Sequence, residues 1–271
     1  MMNHENRLNK SALLISNRRI AEGIYAMELS EPGLAAEVRP GQFVMAAIDD
    51  SIEPFLRRPF SVAGIDRGAG TIKLVYQVTG KGSAMMSAWE TGRRVDLLGP
   101  LGNGFTWDNL SGAAVLAGGG MGIAPLLPLA KALREHGKEV TVFAGARSLD
   151  LLFGLPSFNE YGCEVQIATE DGSGGMTGFA TLPLELRLRA GFPGVGGALY
   201  ACGPAPFLKA VADLCGTYKA EAQLSMEERM GCGFGACMGC SVQIRTADGI
   251  KRKRVCYDGP VFTAGEVVFD G

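Results

Sequence analysis

Four cysteines in the last fifth of the chain constrain its fold and chemistry more than any other feature. Cys232, Cys237 and Cys240 follow the spacing C-x4-C-x2-C, and Cys256 comes after a gap of fifteen residues. Three thiolates so close together must wrap one compact object, and interleaved glycines let the loop bend and turn backbone N–H groups towards sulfur. The spacing is typical of plant-type [2Fe–2S] loops. A four-cysteine zinc site is the alternative, although zinc sites favour two separated C-x2-C pairs.

The remaining cysteines predict no disulfide framework. The chain has seven cysteines, an odd number, and its polar start is not followed by the apolar stretch of a secretory signal. We therefore expect a cytoplasmic protein with reduced thiols. Cys163 and Cys215 lie in apolar stretches, where buried and inert thiols are expected.

Composition excludes several classes of protein. Apolar residues make up 47% of the 271 residues, which argues against disorder. The net charge of −2 gives no overall attraction for nucleic acid or an anionic membrane. No apolar run is long enough to span a membrane. The 39 glycines are roughly twice the usual share, without a collagen period. They indicate many close approaches of the backbone.

Two patterns divide the chain before the cysteine-rich tail. Short apolar runs bounded by turn residues fill the first hundred residues and indicate a small barrel or sandwich, of which we expect an antiparallel β-barrel, with a short helix near 83–90. From about residue 110, strands near 113–117, 140–144, 164–168 and 198–201 alternate with helices near 124–136, 149–160 and 205–219. This alternation is typical of a doubly wound parallel sheet. We therefore expect a multi-domain β plus α/β protein with domains at 1–108, 109–222 and 223–271.

Two strand-to-helix turns indicate a dinucleotide site. The first is the glycine cluster 118–122, which matches G-x-G-x-x-G imperfectly, and the second is Cys202-Gly203-Pro204. Glycines admit a pyrophosphate to the backbone, and the helix N-terminus favours its charge. Alone, each turn is equally explained by tight packing. Arg147 follows the next strand without a clear acid beside it, and is either a nucleotide contact or a surface cation. The glycine-rich loop 169–178 is expected to close this half of the site.

A third motif lies in the predicted barrel. Arg57-Arg58-Pro59-Phe60-Ser61 combines cations, an aromatic ring and a hydroxyl, which a flavin nucleotide could use for phosphate, stacking and a ring nitrogen. Taken alone, the motif is better explained by an ordinary solvated arginine pair before a strand. Gly80-Lys81-Gly82-Ser83 opens the predicted short helix and could hold a phosphate.

Together these motifs resemble the ferredoxin–NADP reductase superfamily. The residues 226–240 and 255–262 are more specific, and they closely resemble the electron-transfer subunits of NAD-dependent (class 1B) dihydroorotate dehydrogenases. The resemblance covers about residue 12 to the end. It implies FAD and one [2Fe–2S] cluster in this chain, with NAD(H) as co-substrate. Many superfamily members carry Tyr where this chain has Phe60, so a stack is retained here and a phenolic hydroxyl is lost.

The resemblance also implies roles for individual residues. Arg58 would bind FAD phosphate, Phe60 would flank the flavin, and Ser61 would hydrogen-bond near its reactive nitrogen. Cys202 and Gly203 would lie near the nicotinamide, which makes Ser61 and Cys202 the candidate catalytic residues. The complete cofactor-binding set is Arg58, Pro59, Phe60, Ser61, Val75, Tyr76, Gln77, Gly82, Ser83, Gly119, Gly120, Gly122, Cys202 and Gly203. The metal ligands would be Cys232, Cys237, Cys240 and Cys256.

The implied function is electron transfer in pyrimidine biosynthesis. NADH carries a hydride and a cluster takes single electrons, so a flavin must join the two. The implied partner is an FMN-containing dihydroorotate dehydrogenase catalytic subunit, in a heterotetramer. This chain shows no acid–base catalyst for the pyrimidine step, since His4 and His136 lie in polar surroundings. The alternatives are a subunit of a sulfhydrogenase or of an NADH-dependent ferredoxin:NADP oxidoreductase, a stand-alone NADH reductase, and a zinc-stabilised interaction module.

Overall fold

A computed structural model of the protein describes residues 9–49, 54–191 and 194–269. His4 lies outside these residues. Six strands form a closed antiparallel barrel in the order β1-β2-β5-β4-β3-β6. They are β1 (Asn9–Ala21), β2 (Ile24–Ser30), β3 (Phe43–Ala46), β4 (Arg58–Asp66), β5 (Thr71–Gln77) and β6 (Arg94–Leu101). The predicted barrel is confirmed.

Apolar side chains on alternate positions of these strands fill the barrel. Leu14, Met27, Leu74 and Leu97 are completely buried, as expected for the inward-facing residues of a closed sheet. Two helices accompany the barrel, α1 (Pro32–Glu37) and α2 (Lys81–Ser87). Helix α2 starts and ends slightly earlier than the predicted 83–90. Its start is capped by Ser83 Oγ, which accepts hydrogen bonds from the backbone N–H groups of Thr79 and Gly80.

A second sheet has seven strands in the order β10-β9-β8-β7-β11-β12-β15. The first six run parallel: β7 (Ala114–Gly119), β8 (Val140–Ala146), β9 (Glu164–Thr169), β10 (Met176–Thr177), β11 (Ala198–Cys202) and β12 (Ala222–Ser225). Four helices connect them: α3 (Ile123–Glu135), α4 (Leu155–Glu160), α5 (Thr181–Arg189) and α6 (Ala205–Tyr218). The prediction of a parallel α/β sheet is confirmed.

Two helical details differ from the sequence prediction. The helix predicted over 149–160 is instead a 3-10 turn at Leu149–Leu151 followed by α4, because Gly154 takes the left-handed conformation with φ +77° and starts a new helix. Helix α5 was not predicted. None of the helices in the described part of the chain is long and apolar enough to cross a membrane.

The cysteine-rich segment builds a third, three-stranded sheet in the order β14-β13-β16. Its strands are β13 (Ser241–Thr246), β14 (Gly249–Arg254) and β16 (Val267–Val268). Strand β15 (Val261–Thr263) leaves this sheet and pairs antiparallel with β12 at the edge of the parallel sheet. The expected domain boundary between 222 and 223 therefore falls inside β12, and the parallel sheet extends across it.

One apolar core joins all three parts. It combines Phe43 and Met45 from the barrel with Leu208 from α6 and with Cys240 and Val255 from the C-terminal segment. Two further cores lie inside the barrel and beneath α3. Because the cysteine-rich segment shares a core with both other parts, it is packed into the molecule and not attached by a linker.

Candidate functional site: a nucleotide cleft, a flavin surface and a cysteine loop

A cleft of about 620 Å³ opens where the parallel strands end. It combines Gln77 and Ile24 of the barrel with Gly119, Gly120 and Gly122 after β7. Carboxyl ends of parallel strands are where such sheets bind nucleotides. Of the predicted cofactor residues, the structure thus brings Gln77 together with the three glycines.

The two predicted glycine turns touch each other at the base of this cleft. A Cβ added to Gly122 would lie 2.1 Å from the backbone oxygen of Cys202, and one added to Gly203 would lie 3.2 Å from the backbone of Gly119. Only hydrogen fits between these backbones. Gly120 has φ +55° and open space around it, so a ligand can approach its backbone freely.

Further residues line the cleft that the sequence analysis did not assign. Phe179 is 62% exposed there, and Phe207 lies against Gly119, where a Cβ would meet its ring at 3.1 Å. Glu170, which follows β9, lines the same cleft as Arg147, which follows β8. An acid and a cation therefore line the same cleft, and Glu170 belongs to the loop 169–178 that was expected to close it.

Cys202 and Glu227 form a polar pair beside the cleft. The Cys202 thiol is buried and lies 3.9 Å from Glu227 Oε1, so that it can donate a weak hydrogen bond. Burial and the nearby Glu227 raise the pKa of Cys202 well above its usual value, and the thiol stays protonated. Part of Glu227 is exposed at the cleft, but its carboxyl lies deep enough that burial raises its pKa. The sequence analysis did not assign a role to Glu227, which lies in the run of residues just before the cysteine loop.

The flavin motif lies on β4 and β5 of the barrel. The Arg58 Nε would be 3.3 Å from a Cβ on Gly82, so the guanidinium lies over the first turn of α2. A side chain at Gly82 would press against this cation, and Arg58 Nη1 donates to the backbone oxygen of Leu56 at 2.6 Å. The neighbouring Arg57 instead pairs with Asp96. The structure thus separates the two arginines, and only Arg58 faces the predicted phosphate position.

Tyr76 fills the barrel interior behind this motif. Its ring packs edge-on against Phe60 at 5.8 Å and stacks on Tyr25 at 5.7 Å. Its hydroxyl donates to Asn17 Oδ1 at 3.0 Å, and burial raises its pKa to about 12. The Tyr76 side chain is therefore turned away from the surface, and only its backbone can contact a flavin. Val75 is also buried, whereas Phe60 and Ser61 are partly exposed.

The four predicted metal ligands are arranged as two pairs in the C-terminal segment. Cys232 Sγ accepts from the backbone N–H of Cys237 at 3.5 Å, and Cys240 Sγ accepts from the backbone N–H of Cys256 at 3.4 Å. Cys237 is exposed, whereas Cys240 and Cys256 are buried. No three cysteine, histidine or carboxylate side chains converge as a ready-formed metal site among residues 9–49, 54–191 and 194–269. The two pairs are neighbours, because the charge of Cys232 acts on the Cys256 thiol.

The chemistry of these pairs suits an iron–sulfur cluster. Burial raises the pKa of Cys232, but the backbone N–H groups of Cys237, Phe234 and Ala236 outweigh it and lower the pKa to about 6. Burial and the nearby Cys240 raise the pKa of Cys256 to about 12. The loop thus surrounds sulfur with N–H donors, which stabilise a cluster. Gly233 packs on Met45 of β3, where a Cβ would lie 2.5 Å from the side chain.

The other two cysteines lie apart from the site, as expected. Cys163 and Cys215 are 8% and 4% exposed, and burial raises the pKa of each thiol to about 11. Both are core residues, as the apolar stretches around them predicted. His136 is exposed at the end of α3, with its ring edge-on to Trp107 and away from the cleft lining.

Comparisons with known proteins agree with this geometry. Residues 227–268 match the iron–sulfur cluster binding domain of dihydroorotate dehydrogenase B. The electron transfer subunit of dihydroorotate dehydrogenase B (NAD(+)) from Geobacillus thermodenitrificans is 42% identical, over 94% of this chain and 96% of that protein. The subunit of the same name from Bacillus caldolyticus is 41% identical, over 93% and 96%.

A solved structure has the same overall fold. It is the structure of an NADH-dependent reduced ferredoxin-NADP oxidoreductase, described in connection with flavin-based electron bifurcation. Its TM-score to this chain is 0.84, with 31% sequence identity. The match covers 96% of this chain and 90% of that chain. It includes the barrel, the parallel sheet and the C-terminal segment.

Proposed function

The chain belongs to the family of electron transfer subunits of NAD-dependent dihydroorotate dehydrogenase B, and from that premise we propose how its three parts divide the work. It is an oxidoreductase subunit that carries electrons between NAD and a dihydroorotate dehydrogenase catalytic subunit. Its cofactors are FAD and an iron–sulfur cluster. The match of residues 227–268 to an iron–sulfur binding domain favours the cluster over a structural zinc.

The single observation that carries the assignment is the contact between the cysteine loop and the barrel. Gly233 lies directly on Met45 of β3, the strand that pairs with β4 and its flavin motif. When bound, FAD exchanges a hydride with the nicotinamide and single electrons with the [2Fe–2S] cluster, which links the two kinds of chemistry. The contact supports a flavin and a cluster held side by side on one rigid core.

We assign the nucleotide roles as follows. Gly119, Gly120 and Gly122 receive the pyrophosphate of NAD(H), with Cys202 and Gly203 beneath the nicotinamide. The buried thiol of Cys202 excludes water there and lies beside the partly exposed carboxyl of Glu227. The thiol is not a nucleophile, because burial keeps it protonated.

We assign the flavin roles to the barrel. Arg58 and the first turn of α2 with Gly82 and Ser83 hold the FAD phosphates, since the guanidinium already lies over that turn. Phe60 flanks the flavin ring and Ser61 presents its hydroxyl to the reactive nitrogen. Ser83 acts indirectly, because its hydroxyl caps the helix. Pro59, Val75, Tyr76 and Gln77 complete the lining, Tyr76 through its backbone.

The cluster ligands are Cys232, Cys237, Cys240 and Cys256. The proposed domains are 1–108 for FAD, 109–222 for NAD and 223–271 for the cluster. The assembly is a heterotetramer with an FMN-containing catalytic subunit, in the cytoplasm. Expression with that subunit, followed by mass photometry and cell fractionation, tests these assignments. An absence of stable association contradicts the heterotetramer, and recovery in a membrane or secreted fraction contradicts the cytoplasmic location.

The test of the core function is an absorbance and EPR spectrum of the anaerobically purified chain, titrated with NADH. We expect flavin bleaching and a reduced [2Fe–2S] signal. With the catalytic subunit present, dihydroorotate should produce the same reduction. A colourless protein that contains zinc would refute the assignment.

A second candidate is a subunit of an NADH-dependent ferredoxin-NADP oxidoreductase. The TM-score of 0.84 over almost the whole chain favours it as an alternative. The flavin and cluster chemistry is shared, so only the partner discriminates. If an affinity-tagged chain in its native host co-purifies with a larger flavoprotein that reduces NADP and not with a dihydroorotate-oxidising subunit, the second candidate replaces the first.

A further inference from the structure

One cation joins the cysteine loop to the turn that carries the fourth cysteine. Arg254 Nη1 donates to the backbone oxygen of Gly235 at 3.0 Å, in the middle of the loop. Its Nε donates to Asp258 Oδ2 at 3.0 Å, and Asp258 lies two residues beyond Cys256. The guanidinium also stacks over the Tyr257 ring at 4.5 Å. Arg254 therefore spans both sides of the ligand set.

The geometry fixes this side chain firmly. Asp258 Oδ2 also accepts from the Arg254 backbone N–H at 2.8 Å, so the carboxylate holds the residue at two points. The Arg254 backbone oxygen in turn accepts from the N–H groups of Tyr257 and Asp258, at 3.1 Å and 2.8 Å. The Arg254 side chain is only 28% exposed. A cation held this way keeps its charge in one place. Solvent screens that charge less than it screens the charge of a mobile surface lysine.

We infer that Arg254 is a positioning residue that sets the reduction potential of the cluster. The inference rests on the cluster ligands proposed above. Reduction adds one negative charge to the ligand set, and a fixed cation beside it favours the reduced state, whereas the carboxylate of Asp258 opposes it. Net charge and hydrogen bonding near the sulfurs are the main controls on such potentials. Removing the cation must therefore lower the potential, and removing the carboxylate must raise it.

Strand β14, which carries Arg254, also provides a matched control. Lys251 carries the same charge on β14, but it is paired with Asp248 at the hairpin turn, and half of its side chain is exposed. Lys251→Gln removes one positive charge from the same strand without touching the loop. If surface charge in general set the potential, Lys251→Gln would shift the cluster potential as much as Arg254→Gln does.

The test is an anaerobic redox titration of the whole chain followed by EPR. The wild-type chain must first show a reducible cluster. If it does not, the result contradicts the proposed ligand assignment and does not bear on the role of Arg254. We expect Arg254→Gln to lower the midpoint potential enough to change the reduced-to-oxidised ratio about tenfold, which is about 59 mV for one electron. Asp258→Asn should raise the potential, and Lys251→Gln should leave it unchanged.

A conservative variant separates charge from packing. Arg254→Lys keeps the charge but loses the planar fork, so it should lower the melting temperature about as much as Arg254→Gln does and lower the potential less. Shifts of equal sign in Arg254→Gln and Asp258→Asn, or an equal shift in Lys251→Gln, overturn the inference. If Arg254→Gln fails to retain a cluster, Asp258→Asn decides alone, because an unchanged or lower potential in that variant refutes the role.

Discussion

Substitution of Gly122 by alanine tests whether the two glycine turns form one nucleotide site. The backbone of Gly122 is in an ordinary conformation, with φ −62°, so alanine adds no strain there. Its Cβ would instead lie 2.1 Å from the oxygen and 2.3 Å from the carbon of the Cys202 carbonyl group. Ordinary contact begins at 3.4 Å. The two turns must therefore separate by about 1 Å, since neither partner is a flexible side chain.

The size of the effect follows from that displacement. Misplacing a positioned substrate by about 1 Å costs about 100-fold in rate, equivalent to about 2.7 kcal/mol of transition-state stabilisation. We expect kcat/KM for NADH in a dye-reduction assay to fall by this amount. The cluster EPR signal under chemical reduction should stay unchanged, because the cysteine segment is not moved.

Gly137→Ala is the matched control. Gly137 follows α3 outside the cleft, its φ of +71° costs an alanine about 1 kcal/mol of stability, and nothing lies within 4 Å of the added carbon. Stopped-flow flavin reduction by NADH should therefore be slowed far less by this change than by Gly122→Ala. A Gly122→Ala variant within threefold of wild type, or one that retains more activity than Gly137→Ala, would refute the reasoning.

Three other expectations follow from the site. Cys237→Ser should abolish the [2Fe–2S] EPR signal while Cys163→Ser keeps it, and a normal cluster in the first variant shows that the ligand is wrongly assigned. Arg58→Ala should weaken FAD binding by roughly tenfold to a hundredfold, for a lost charged hydrogen bond of about 1.5–3 kcal/mol, measured by flavin fluorescence on dilution. Arg57→Ala should not, since that side chain pairs elsewhere. The raised pKa of Glu227 gives stability at low pH that is lost as pH rises through the folded pKa. Glu227→Gln should therefore melt higher than wild type at pH 8, with the difference vanishing towards pH 4.5, and the opposite trend contradicts the burial argument.

The sequence predicted β7, β8, β9 and β11 of the parallel sheet, but not the short strands β10 and β12 or helix α5. Apolar runs bounded by turn residues indicate strands, and the barrel and the parallel sheet were predicted from such runs. Helix α5 was missed because Leu182, Leu184, Leu186 and Leu188 alternate with other residues, which favours a strand. The structure buries Leu184 and Leu188, one helical turn apart, and leaves Leu182 and Leu186 exposed.

The site was predictable where its residues are adjacent in sequence. The cysteine spacing and the glycine turns are local patterns, and they needed only residue types. The contacts between distant segments were not predictable, such as Gly122 on Cys202 or Glu227 beside the same cysteine. These depend on how the parallel sheet and the C-terminal segment pack, which no short motif records.

The pairing of β15 with β12 also has a consequence for how the chain matures on the ribosome. Strand β12 pairs with β11 on one side and with β15 on the other, and β15 is synthesised only after the whole cysteine loop. Until then β12 is an open sheet edge, and Phe43 and Met45 lack the partners that complete their core. A stalled or truncated product would thus carry a ready aggregation surface and an easy target for proteases.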